Sequence, residues 1–200
     1  MLLDLKHSRA LRFQIQAGKT PLLVFTAIDV VGMADALRQE LFPAVSISPE
    51  VIFINGSFLG CISHGISKPG SLICLHEILN GSDVPERVFR HILTHELIHL
   101  VVAPRELDGK ITTHPPEFWQ LEHDLSPERA RSWEWLWGQF HSCLIIDRKN
   151  ECLKVKRDWR KRQELSSRSL EDIIRTAPKY CPEGIGIWPW SLFDQPAVIM

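Results

Sequence analysis

The sequence feature that most constrains this 200-residue chain is a pair of histidines inside an apolar helical pattern. His95 and His99 are four residues apart, so their side chains lie one above the other on one helical face. The apolar residues around them recur at helical spacing and predict a mostly buried helix from Pro85 to Ala103, ended by Pro104. They are Val88, Ile92, Leu93, Leu97, Leu100 and Val101. Two buried imidazoles need polar partners, and a shared metal ion is one such partner.

Glu96, directly after the first histidine, extends this prediction from binding to chemistry. Histidine nitrogens bind Zn²⁺ at about 2 Å, and two imidazoles at this spacing can reach one ion. A carboxylate beside such a ligand can take a proton from a water that the metal activates. The segment His95–His99 therefore predicts a zinc site with Glu96 as general base. A surface helix with two unrelated histidines is the competing interpretation, and the apolar context argues against it.

A catalytic zinc site normally has three protein ligands, so a third is expected. His114 is the first candidate, because Pro115–Pro116 would hold it at the start of a following helix. Glu117 and Glu122 are alternatives, since some zinc sites use two histidines and one glutamate. His123 is a weaker candidate.

His91 shares the helical face of the pair but cannot complete the same site. Eight residues of helix, about 12 Å of rise, separate it from His99. We expect His91 to line the cleft or to contact a ligand. His64 and His76, in the preceding strands, are expected to be structural, although His76 could border the cleft.

The segment Thr94–Leu100, followed by His114 and Glu117–Trp119, resembles the SprT-like minimal zincin metallopeptidases. Their mark is a zinc-binding helix followed by a His-x-x-x-Phe-Trp element that carries the third ligand. The resemblance covers about residues 45–125. The connection from His99 to His114 is longer than in the compact form of the family, and no paired cysteines follow.

The resemblance implies a fold, a ligand set and an activity. The fold would be α+β and zincin-like, with a small antiparallel sheet packed on the active-site helix and further C-terminal helices. The ligands would be His95, His99 and His114, with Glu96 as general base. The activity would be zinc-dependent hydrolysis of peptide bonds, with an extended substrate paired to the strand near the metal helix.

Short apolar runs and turn signals predict the sheet itself. Val51–Ile54 reads as a strand, Asn55–Gly56 as a hairpin turn, Phe58–Ser63 as the returning strand and Leu72–Leu79 as a third strand. Between the ligand segments, the polar residues 105–110 predict an exposed loop.

The chain divides into three predicted segments. Residues 1–44 are assigned to packing, 45–141 to the zincin-like core, and 142–200 to a basic hairpin or helix with a Trp- and Pro-rich tail packed on the core. A helix starting at Ser126 carries several aromatic residues, for which core packing is favoured over a binding groove. They are Trp133, Trp135, Trp137 and Phe140. Cys143–Ile146 and Cys152–Val155 predict a hairpin, with a continued helix as the alternative.

Composition excludes several classes of protein. A net charge of -1 gives no general attraction to nucleic acid or membranes. The apolar stretch Pro21–Met33 is too short to span a bilayer and is interrupted by Asp29. Five cysteines with no short-spaced pair are typical of reduced thiols in a cytoplasmic protein.

Two functions follow from these patterns. The first is a zinc metallopeptidase acting on a protein or peptide substrate; another amide or ester hydrolase could use the same site. The second is a non-catalytic, zinc-stabilised module that binds nucleic acid or protein through its C-terminal region. Lys154–Arg162 is strongly basic with Trp159 among the charges, which suits phosphate contacts and base stacking, although a solvated helix face is favoured. Glu96 argues for the first, because a structural zinc site needs no general base.

Overall fold

The computed structural model describes residues 24–64, 69–107, 109–147 and 152–163. Within these ranges the chain forms five α-helices, a three-stranded sheet and two two-stranded sheets. The coarse α+β class is therefore as expected. The predictions for residues 1–23, and for the tail beyond residue 163, fall outside the described ranges.

Helix α1, Val30–Leu41, opens the described part of the chain and packs against the central helix. Asp29 caps its first turn, where the carboxylate accepts a hydrogen bond of 2.9 Å from the Gly32 backbone N–H. Its inner face buries Val30, Ala34 and Leu37 in the core.

The central sheet is mixed, and the expectation of an antiparallel sheet is wrong for one of its two strand pairs. Its strands are β1 (Glu50–Ile54), β2 (Gly60–His64) and β3 (Pro69–His76), in the order β1-β3-β2. β1 pairs with β3 in parallel and β2 pairs with β3 antiparallel. β2 is thus an edge strand, and β3 ends at His76 in a 3-10 turn over Glu77–Leu79.

No hairpin joins β1 to β2 at Asn55–Gly56, because β3 lies between them. Gly56 does not take the positive φ that a tight hairpin turn needs; among the described glycines only Gly109 does. Instead, the connection pairs with a distant strand. The carbonyl of Ser57 accepts a bond of 2.8 Å from the Val155 N–H, and Phe58 forms a β-bridge with Lys154.

Helix α2, Glu86–Ile98, is the central helix and carries the His-Glu segment. It packs against α1, against the sheet through β2 and β3, and against the two following helices. It ends at Ile98, earlier than predicted, because the chain then tightens: the N–H groups of Leu100 and Val101 bond to carbonyls only three residues back. Its buried residues include Phe89, Leu93 and Leu97.

The segment predicted as an exposed loop is a small hairpin. β4 (Arg105–Leu107) pairs antiparallel with β5 (Lys110–Thr112), and Gly109 turns the chain with a φ of 73°. The residues of β4 are exposed, as expected, so the error concerned the backbone and not the burial. This hairpin delivers the chain to His114.

Two helices follow and pack beside α2. They are α3 (Pro116–Leu125), as predicted from the proline pair, and α4 (Arg129–Phe140). Trp137 and Phe140 are buried, and Trp133 and Trp135 pack against the same core, so the preference for core packing over a groove is confirmed. The predicted hairpin is also confirmed, as β6 (Leu144–Asp147) and β7 (Cys152–Val155).

One hydrophobic core joins these elements. It extends from Val30 in α1, through β1 and the central strand β3, to Trp159 in the short helix α5, Trp159–Gln163. Among the described helices, none has the length and apolar character needed to cross a membrane.

Candidate metal centre

Three imidazoles converge where α2 meets the chain entering α3. The rings of His95, His99 and His114 form a nearly equilateral triangle, with centroid separations of 5.2, 5.0 and 4.8 Å. One ligand nitrogen from each lies within 4.8 Å of the others. The predicted third ligand, His114, is therefore brought to the predicted pair, and all three side chains are half-buried.

The closest approach in this triad is between two ring nitrogens. The Nε2 atoms of His95 and His114 are 3.2 Å apart. Two bare lone pairs repel at this separation, so either a proton or a shared cation must lie between them. Tetrahedral zinc with bonds of about 2.0–2.1 Å would hold two nitrogens roughly 3.3 Å apart. The donor set and its spacing thus fit a zinc ion.

Glu122 fixes which nitrogen His95 presents. Its Oε1 lies 2.6 Å from His95 Nδ1, and its Oε2 accepts a bond of 2.7 Å from Arg129 Nε. An ionised carboxylate only accepts, so His95 carries a proton on Nδ1 and directs Nε2 toward the other two rings. The sequence had left Glu122 open as a ligand, but in the described structure it is a hydrogen-bond partner of the predicted ligand His95.

The ring of Phe118 forms the floor of the triad. It is fully buried, and its centroid lies 4.9, 4.6 and 4.7 Å from those of His95, His99 and His114. Trp119 packs on His114 from the side, with centroids 5.1 Å apart. The Phe-Trp pair that carried the family resemblance thus contacts the three histidine rings through its own aromatic rings.

Glu96, next to His95 in α2, packs against the edge strand β2. It is 4 % exposed, and its carboxylate accepts a hydrogen bond from the backbone N–H of Ile62. Burial raises the pKa of Glu96 to about 7, against the lowering effects of the His95 charge and the Ile62 bond. A carboxyl group poised near neutrality can both take and return a proton.

Gly60 makes room for that carboxylate. A Cβ at this position would lie 2.7 Å from Glu96 Oε1 and 2.9 Å from Ile92 Cγ2. The close approach of β2 to α2 requires a glycine here because there is no space for a side chain. Its backbone conformation does not require one, because its φ is not positive. No motif in the sequence marks this glycine.

Burial and charge set the protonation of the remaining groups. Burial lowers the pKa of His114 to about 3, so its ring is neutral. For His95, burial lowers the pKa but the bond to Glu122 and the carboxylate charges outweigh it, and the pKa lies above its usual value. For Glu122, burial raises the pKa, but the bond to His95 and the charges of His95, His91 and Arg129 leave it well below its usual value.

His91 lies outside the triad and has a structural partner. It is 2 % exposed, its Nδ1 lies 2.9 Å from Ser126 Oγ, and its ring meets Trp133 edge-on. Because it is buried, it does not line an open cleft, and its hydrogen-bond partner is Ser126 and not a residue of the triad. Burial lowers its pKa to about 4, so it is neutral at physiological pH.

The other candidate ligands are also placed elsewhere. Glu117 forms an ion pair of 2.8 Å with Arg105 and is exposed, as is His123. His76 is buried and caps the 3-10 turn, with Nδ1 accepting a bond of 3.0 Å from the Ile78 N–H, which confirms its structural role. The side chain of His64 is outside the described set.

Three of the six basic residues in Lys154–Arg162 are hydrogen-bonded within the described structure. Lys156 donates to the Ser142 carbonyl, Arg160 to Glu77 and Arg162 to Asp158. Trp159 is 7 % exposed and packs against His76, so the expectation that it could stack on a base is wrong. Because charged residues surround Trp159 in the sequence, its burial in the core could not be predicted from the local pattern.

Comparisons with protein-family models, with curated proteins and with solved structures found no match to this chain.

Replacing Gly60 by alanine tests the close approach of β2 to Glu96. The new Cβ must displace the buried carboxylate or Ile92, and we expect the free energy of unfolding to fall by about 1–3 kcal/mol. Gly138→Ala is the matched control, since nothing lies within 4 Å of a Cβ there. Within a helix that change should stabilise by about 0.5–1 kcal/mol. Equal effects of the two substitutions in urea unfolding would contradict the described contact.

The buried, neutral His91 predicts a loss of stability in mild acid. Its folded pKa of about 4 lies below the unfolded value of about 6.5, so the unfolded chain binds the proton first. The contribution is complete above pH 6.5 and lost as the pH falls toward 4, by about 3 kcal/mol at 1.36 kcal/mol per pKa unit. Urea unfolding of the metal-free protein should show a steeper pH dependence in the native protein than in His91→Gln. Equal slopes would overturn the assignment.

Proposed function

We propose that this protein is a zinc-dependent metallopeptidase of the SprT-like zincin type. One observation carries the proposal: three imidazoles converge at nitrogen separations that suit one cation, beside a buried carboxylate that faces a sheet edge. Zinc bound there would supply a Lewis acid that activates water and polarises a carbonyl.

His95, His99 and His114 would hold the ion through three neutral imidazoles. This ligand number is that of catalytic zinc sites, which keep a position for water or substrate, whereas structural sites have four protein ligands. Among the described residues, no fourth histidine, cysteine, aspartate or glutamate joins the cluster. The donor set therefore favours a catalytic site over a structural one.

Glu96 would move the proton. In this role its carboxylate takes a proton from the attacking water and passes it to the leaving amine nitrogen. Its burial supports this assignment, because a carboxyl with a pKa of about 7 exchanges a proton at little cost near neutral pH. The Ile62 N–H and the space at Gly60 hold it between α2 and β2.

The edge of β2 that pairs with no strand in the described part of the chain would bind the substrate as an added strand. The His76 N–H bonds to the Leu59 carbonyl, and antiparallel pairs alternate, so the backbone groups of Gly60 and Ile62 face the unpaired edge. The Ile62 N–H bonds to Glu96, in agreement with this alternation, so a substrate strand would use the Ile62 carbonyl and the Gly60 backbone groups. Edge backbone groups recognise an extended peptide through its main chain, so the proposed substrate is an unfolded or extended protein segment.

Glu96→Gln tests the proposed chemistry. The amide keeps the shape and can still accept from Ile62, but it cannot take a proton. We expect hydrolysis of a denatured protein such as casein to fall by about 10²–10⁴-fold. Zinc content should stay at the native level, and stability should not fall, because a buried ionisable group has been made neutral. Glu117→Gln, at an exposed carboxylate, is the control and should retain activity.

His114→Ala tests whether the activity depends on the metal site. We expect loss of bound zinc and of hydrolysis together. His123→Ala, at an exposed histidine of α3, should retain both. Full hydrolysis by Glu96→Gln would disprove the mechanism. Retained zinc with no cleavage by the native protein, beside DNA binding that weakens steeply with salt, would favour the binding module.

A further inference from the structure

We infer that Glu122 and Arg129 form a positioning pair that fixes the ring of His95 for a divalent cation and sets how tightly the site holds that cation. The inference rests on the metal site of the proposed function but not on peptide hydrolysis. Neither residue is a ligand in the triad, and neither belongs to the motif that predicted it.

Both oxygens of Glu122 are occupied in a way that leaves His95 one orientation. Oε1 lies 2.6 Å from His95 Nδ1, and Oε2 lies 2.7 Å from Arg129 Nε. The side chains of Glu122 and Arg129 are 1 % and 6 % exposed, so water does not compete for these bonds. A carboxylate on Nδ1–H holds the ring plane and increases the electron density that Nε2 can donate to a metal.

Arg129 makes the buried carboxylate tolerable and ties it to the protein frame. A buried carboxylate without a cationic partner is strongly destabilising. Arg129 stands at the first residue of α4, and its backbone N–H bonds to the Ser126 carbonyl at 3.0 Å. The chain from Glu122 to Arg129 therefore closes a rigid corner between α3 and α4 directly behind the ligand.

The neighbouring contact shows that this pair exceeds what packing requires. One helical turn away, between the same two helix segments, His91 is satisfied by the neutral hydroxyl of Ser126. A hydroxyl therefore suffices to bury an imidazole against this part of the chain. Of these two imidazoles, His95 has the charged pair and belongs to the triad, where added basicity at Nε2 affects a metal.

The first experiment compares Glu122→Gln with Ser126→Ala. Affinities for Co²⁺ and Zn²⁺ are measured by chelator competition, and the visible absorption of bound Co²⁺ reports the geometry of the site. We expect Glu122→Gln to bind both metals about 10–100-fold more weakly, with an altered Co²⁺ spectrum. Ser126→Ala removes the neighbouring contact and should change stability, but should leave metal affinity within a factor of two.

The second experiment separates positioning from stability through Arg129. Arg129→Met leaves the buried Glu122 carboxylate without its arginine partner and should lower the melting temperature of the metal-free protein. The double variant Glu122→Gln/Arg129→Met removes both charges and should recover most of that loss, yet should still bind metal as weakly as Glu122→Gln. Arg129→Lys, which keeps the charge, should recover part of the native affinity relative to Arg129→Met.

The outcomes distinguish this inference from the proposed function. Native-like affinity and spectrum in both Glu122→Gln and the double variant would overturn the positioning role, even if the native enzyme is active. Metal affinities that only follow melting temperature across all variants would also overturn it. A native protein that binds Co²⁺ and depends on Glu122, but cleaves no protein, would disprove the peptidase and leave the positioning pair standing. A native protein that binds neither metal would disprove both.

Discussion

The burial of polar side chains on one helix is the constraint on which the rest of this structure depends. α2 runs through the core, yet His91, Thr94 and Glu96 are almost completely buried on it and His95 is half-buried. Buried polar groups are costly unless hydrogen-bonded, and the helix backbone of α2 does not satisfy its buried imidazoles and carboxylate. Their partners must arrive from elsewhere in the chain.

Those partners explain the positions of the surrounding elements. β2 brings a backbone N–H to Glu96, and α3 brings Glu122 and Ser126 to the two imidazoles. The β4–β5 hairpin returns the chain so that His114 stands over Phe118, where Thr112 Oγ1 accepts the His114 backbone N–H at 3.1 Å. Apolar burial supplies the general cohesion of the core, while these few polar contacts decide which surfaces meet.

The sequence predicted the parts that depend on local pattern. Helical spacing located α2, and the proline pair located α3 with His114 at its entrance, where the structure brings it to His95 and His99. It could not predict the pairing of β1, because the local turn signal at Asn55–Gly56 was overridden by long-range bonds from residues 57 and 58 to β7.

Two features of the site were also beyond sequence reasoning. In a sequence, a glutamate that binds a metal stands at nearly the same distance from the histidines as one that hydrogen-bonds to a metal-binding histidine. Glu122 therefore could not be assigned to either role in advance. Gly60 carries no signal because its requirement comes from α2, more than thirty residues later in the chain. Both roles depend on distances between elements that only the assembled fold defines.

The ordered sequence of contacts between α2 and α3 has a consequence for alignment. His91, His95 and His99 meet Ser126, Glu122 and Phe118 in turn, one helical turn apart and in opposite chain directions. Ridges of leucine and phenylalanine would permit these helices to slide by a turn at modest cost. A slide of about 5.4 Å here would leave the Glu122 charge facing the wrong ring. The two hydrogen-bonded contacts and the ring contact along this seam thus admit one registration of the two helices.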